Sequence, residues 1–179
     1  MAEPSLHELK RTRPDLEIIW RAFELRPEPV PTLDPRSEYL TRAWRDRVYP
    51  LAERLGVTMR LPPVQPRSRL AHEAAKWAAT VNRFDDYNEA VFRAFFERGE
   101  NIGEVEVLLK LAEELRLEGE ELRGALTHHE FEAQVLADER EATALGVRAV
   151  PAFIANRRAA LSGVQSVSAL EALIDRAQR

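Results

Sequence analysis

The sequence predicts an α/β protein whose order is helix, strand, a long helical insertion, helix, β-hairpin and a last helix. Three observations carry this. Residues 16–23, Leu-Glu-Ile-Ile-Trp-Arg-Ala-Phe, are rich in β-branched and aromatic types and follow the breaker Pro14-Asp15. Between Ser37 and Leu126 apolar residues recur at helical spacing, with turn-forming residues between the runs. Near the end, Gly146 closes a helical run. Val147-Arg148-Ala149-Val150-Pro151 then leads into two short apolar runs, and Gly163 follows them.

Each element has a local reason. Pro4 to Arg13 reads as a helix, because proline is tolerated in a first turn and Leu6 and Leu9 share a face. Leu16–Phe23 reads as a strand. Arg26–Pro35 holds prolines at 27, 29, 31 and 35 and reads as a loop. Ser37 to Val48 spaces Tyr39, Leu40, Ala43, Trp44 and Val48 as a helix, which Pro50 ends or kinks; Leu51–Leu55 adds a turn and Gly56 stops it. Val57–Arg67 is extended.

Three apolar stripes come next. Leu70, Ala74, Trp77, Ala78 and Val81 form one; Tyr87, Val91, Phe92, Phe95 and Phe96 another; Val105, Leu108, Leu109, Ala112 and Leu115 the third. Breaks fall at Asn82, Arg98-Gly99 and Glu118-Gly119, and Glu120–Leu126 is a short helix. Phe131, Val135, Leu136, Ala142 and Leu145 mark a longer helix. Ala152–Ala155 and Arg158–Leu161 read as hairpin strands around Asn156-Arg157. Ser166 or Ser168 caps a last helix carrying Leu170, Leu173 and Ile174.

Composition narrows function. The 179 residues carry 26 basic and 30 acidic side chains, a net charge of −4, which gives no electrostatic case for nucleic acid or an anionic membrane. No apolar run is long enough to span a bilayer. The opening Met-Ala-Glu-Pro-Ser-Leu-His-Glu is unlike a signal peptide, so a cytoplasmic location is expected. There is no cysteine, which excludes disulfides, thiolate metal sites and thiol catalysis by these residues. Adjacent His128 and His129, with Glu132 near, point to different sides of a helix and suggest no metal site. The acidic runs Glu113-Glu114 and Glu118-Glu120-Glu121 read as solvated faces.

The string from Gly146 to Gly163 resembles the C-terminal half of a thioredoxin fold. More narrowly it resembles the DsbA family in its FrnE-like branch, related to 2-hydroxychromene-2-carboxylate isomerases and kappa-class glutathione transferases. Trp20-Arg21-Ala22-Phe23-Glu24-Leu25, Gln65-Pro66-Arg67-Ser68-Arg69-Leu70-Ala71-His72 and Phe92-Arg93-Ala94-Phe95-Phe96-Glu97 carry the same resemblance. It implies an α/β, thioredoxin-like fold with a helical insertion: residues 1–35 and 127–179 form the thioredoxin-like domain and 36–126 the inserted helical subdomain. It also implies thiol–disulfide oxidoreduction. That family begins with a strand and then Cys-Pro-x-Cys, and neither is present here. The expectation is therefore a redox-inactive form with the N-terminal strand missing, either truncated at an internal methionine or truly degenerate. Loss of that strand leaves sheet edges to satisfy, so three strands per chain and a homodimer are expected.

For the site, the resemblance implies that Ala149, Val150 and Pro151 bind substrate, with a cis peptide before Pro151 and a protein or small thiol as the partner. No catalytic residue is expected in the chain itself. A second reading is a glutathione-dependent isomerase or transferase. There Ser5 would stand for the serine that replaces the first cysteine in those relatives, and glutathione would be the cofactor; Pro66-Arg67-Ser68 departs from their Pro-Asn-Ser/Thr string. A third reading is a non-catalytic module that binds a peptide as an added strand.

Overall fold

The computed structural model describes residues 1–178. The chain divides into two compact units: Met1–Leu25 together with the chain from Glu139 onward, and Arg26–Asp138. The expected insertion, 36–126, lies inside the second unit.

In the first unit, α1 (Glu3–Thr12) and α9 (Val167–Gln178) pack on each other, and α9 also covers the hairpin β1 (Ala152–Ala155) and β2 (Ala159–Ser162). Leu9, Ala22, Leu170, Leu173 and Ala177 are its buried apolar residues. Ser166 caps α9, its hydroxyl accepting from the Ala169 N–H at 3.2 Å. The strands are antiparallel, with Ala152 opposite Ser162 and Ala155 opposite Ala159. β2 thus starts one residue later than the sequence suggests, and the loop is Asn156-Arg157-Arg158. Both Asn156 (φ 48°) and Arg157 (φ 59°) sit in the left-handed region, which asparagine tolerates and arginine rarely takes.

The expected strand Leu16–Phe23 is corrected by the structure: among the described residues the sheet has two strands, not three, and this segment is outside it. The strand-like side-chain pattern nevertheless survives. Leu16, Ile18 and Trp20 are half-buried and Ala22 is buried, while Glu17, Ile19 and Arg21 face solvent. Alternation comes from the residues themselves, whereas a ladder needs a neighbouring backbone about 4.8 Å away. The segment is instead held by carboxylates of α8 (Glu132–Ala144). Glu139 Oε1 accepts from the Glu24 N–H at 3.4 Å, and Glu141 lies 3.7 Å from the Arg21 guanidinium.

The second unit is helical. Ser37 caps α2 (Glu38–Ala43), accepting from the Leu40 N–H at 3.4 Å. A π-helical turn, Trp44–Val48, then joins α2 to α3 (Tyr49–Arg54). This turn answers Pro50, whose ring would crowd the carbonyl four residues back in an α-helix; the wider turn lets the helix continue. The Pro-rich loop after Leu25 belongs to this unit because Arg67 pins it, donating to the Arg26 and Val30 carbonyls at 2.5 Å each. The core lies among α4 (Arg69–Thr80), α5 (Phe84–Phe96), α6 (Val105–Glu114) and α7 (Gly119–Thr127), with Ala74, Trp77, Tyr87, Leu108, Leu111 and Leu122 among its residues. Asn82 (φ 57°) and Gly99 (φ 70°) break the chain where expected, and a Cβ on Gly99 would lie 2.9 Å from Pro63 Cδ. Among the described residues, no helix is long and apolar enough to cross a membrane.

Candidate substrate-binding site

The site is built at the end of α8. Gly146 (φ 75°) turns the chain out of the helix. Its N–H donates to the Thr143 carbonyl at 3.0 Å, and Val147 N–H reaches Ala142 at 2.9 Å. These bonds satisfy carbonyls that the helix end would orphan. Arg148, Ala149 and Val150 follow as exposed residues, with Val150 43% exposed. The Val150–Pro151 peptide bond is cis, as is Glu28–Pro29. Pro151 is half-buried, and its carbonyl accepts from Gly163 N–H at 2.8 Å, which closes the open end of the hairpin. Ala149, Val150 and Pro151 therefore form a lip with a fixed base and an exposed rim.

At the hairpin's other end the Arg158 N–H donates to the Ala155 carbonyl at 3.0 Å. Arg157 pairs with Glu141 of α8, which also faces Arg21. One carboxylate thus ties the extended segment and the hairpin turn to the same helix. The lip carries no acid, base or nucleophile. Its chemistry is that of an apolar edge with main-chain groups, suited to binding rather than bond-making.

Ser5 is placed elsewhere in the unit. Its hydroxyl donates to the Gln165 carbonyl at 2.8 Å and so ties α1 to the approach to α9. Among the described residues, no group of three or more His, Asp or Glu could hold a metal ion.

His128 and His129 have definite partners. His128 Nδ1 lies 2.9 Å from the Gly124 carbonyl, and His129 Nδ1 lies 3.3 Å from Oε1 of Glu73. Glu73 is wholly buried and is not among the residues that the sequence singles out. A signal was available: Glu73 lies four residues before Trp77, so the two share the face that packs into the core.

A two-stranded hairpin behind a helix, entered through a proline and covered by a final helix, with a large helical unit between the two parts, defines the thioredoxin-fold class with a helical insertion. The family model of the DSBA-like thioredoxin domain matches residues 1–175, and the chain belongs to that family. It is 39% identical over 146 residues to the uncharacterized protein YwbO of Bacillus subtilis (strain 168), covering 78% of this chain and 72% of that one. In structure it is similar to a probable DsbA oxidoreductase from Streptomyces coelicolor, with a TM-score of 0.83, 23% identity, and coverage of 99% of this chain and 83% of that one. It is also similar to a putative protein disulfide isomerase from Nitrosomonas europaea, with a TM-score of 0.69, 14% identity, and coverage of 96% and 87%. These two likenesses show the fold.

Proposed function

We propose that this chain is a FrnE-like, cytoplasmic member of the DsbA family that engages a protein or small-thiol substrate at Ala149, Val150 and Pro151 without itself exchanging disulfides. The observation that carries this reading is the exposed apolar lip at Val150 on a chain without cysteine. Thiol–disulfide exchange starts with a thiolate attacking a sulfur and ends with a second thiolate releasing the mixed disulfide. Neither nucleophile exists in these residues. What remains is recognition: Val150 offers apolar surface, and the exposed main chain at Ala149 and Val150 can pair with an extended segment as an added strand would. A chain free of disulfides also suits a reducing cytoplasm.

Insulin reduction by dithiothreitol tests the claim. The expected onset of turbidity matches that of a cysteine-free control protein at equal concentration. A clearly earlier onset, dependent on the concentration of this protein, overturns the reading.

A further inference from the structure

The helical unit contains a buried acid that the lip does not use. Glu73 sits on α4 with no exposed surface. Its Oε1 lies 3.3 Å from His129 Nδ1, while its Oε2 has no hydrogen-bond partner. His129 occupies the turn between α7 and α8 at φ 50°, a left-handed conformation that histidine rarely takes. Its side chain is 56% exposed, so the ring meets solvent while Nδ1 reaches the interior.

Three further main-chain bonds shape that turn: His128 N–H to Gly124 at 3.0 Å, His129 N–H to Leu126 at 3.3 Å, and Glu130 N–H to Ala125 at 3.0 Å. Two charged pairs lie along the same face. From α4, Arg69 donates to Glu132 at 3.0 Å and Lys76 lies 2.5 Å from Asp138. Arg69, Glu73 and Lys76 thus form one stripe on α4 that meets Glu132, His129 and Asp138.

We propose that Glu73 and His129 form a proton-operated latch that holds the α7–α8 turn closed while they share a proton and loosens it when that proton leaves. With the proton present, the pair is a hydrogen bond between the core and the turn. Without it, a buried carboxylate is left poorly solvated beside the turn, which keeps its main-chain bonds and the His128–Gly124 contact.

The electrostatics agree in sign. Burial pushes the Glu73 carboxyl above its ordinary value of 4.5, His129 draws it back, Glu132 adds to the rise and Arg69 opposes it. A folded-state pKa raised above the unfolded one means that the native state holds the proton more tightly. The stabilisation is complete below pH 4.5 and is lost as pH rises through the folded value. The latch is therefore closed in acid and opens as pH rises through the folded value of Glu73.

Hydrogen exchange of the whole chain reads the latch directly. Protection of the His129 and Glu130 amides, corrected for intrinsic base catalysis, is expected to fall about five-fold or more between about pH 4 and 8, the ratio for about 1 kcal/mol. Glu73→Gln removes the titrating carboxyl and keeps a polar side chain of the same shape, so its profile should be flat. A flat wild-type profile, or the same fall in Glu73→Gln, overturns the proposal.

Discussion

Asp138 and Lys76 form an ion pair that is shielded from water, and breaking it should cost the helical unit several kcal/mol. The Asp138 side chain is 3% exposed and the Lys76 side chain 17%, with Nζ 2.5 Å from Oδ2. Removing one member of a buried pair costs about 3–5 kcal/mol, because the surviving charge stays in a poorly solvated place. The two residues should differ within that range. The lysine stem can swing its head toward water, so Asp138→Ala belongs near the lower end, about 3 kcal/mol. Lys76→Ala removes the cation from the more deeply buried carboxylate and belongs near the upper end, about 5 kcal/mol. For a chain of this length, 3 kcal/mol corresponds to a melting temperature lower by about 6–12 °C.

Replacing both with apolar residues, Lys76→Met with Asp138→Leu, removes both desolvation penalties and should recover most of the loss. Urea unfolding followed by circular dichroism gives the double-mutant cycle. The reasoning fails if each single variant loses less than about 0.5 kcal/mol, as an exposed pair would. It fails equally if the double variant shows the plain sum of the two losses.

Two further outcomes follow from single hydrogen bonds. Tyr87 is wholly buried and its hydroxyl donates to the Leu108 carbonyl at 2.8 Å, with burial pushing the phenol far above its usual range. Tyr87→Phe should cost about 1 kcal/mol in urea unfolding, and an unchanged midpoint would show the bond to be worth nothing net. Ser5→Ala should cost about 0.5–1.5 kcal/mol through loss of the bond to Gln165. Millimolar glutathione should leave the melting temperature of both the wild type and this variant unchanged; a rise in the wild type that the variant loses would favour the glutathione-dependent reading.

Much of the fold is legible in the residues because helices are local. Ser37, Ser166, Gly146 and Asn82 act on neighbours within a turn, and each does in the structure what its type suggests. The lip is legible for the same reason: Gly146, Pro151 and Gly163 mark a helix end, a strand entry and a hairpin end along a short stretch. The lack of any thiol nucleophile is a matter of composition alone.

Other features needed partners far along the chain. Leu16–Phe23 has the composition and the alternation of a strand, yet a strand is defined by the backbone beside it, and this segment joins no ladder. Pro50 marks a disturbance, but whether the helix ends or widens depends on its surroundings, where Trp44 packs on Tyr49 and Phe96 at ring distances of 5.6 and 6.3 Å. The Pro-rich loop is assigned by Arg67, 41 residues from its partner Arg26. Glu73 and His129 lie 56 residues apart, and nothing local to either shows that one is buried and the other reaches it. Helix signals travel a few residues along one chain segment, so the sequence displays them. Sheet pairing and buried charge pairs are set by which segments meet, and that is settled only when the chain has folded.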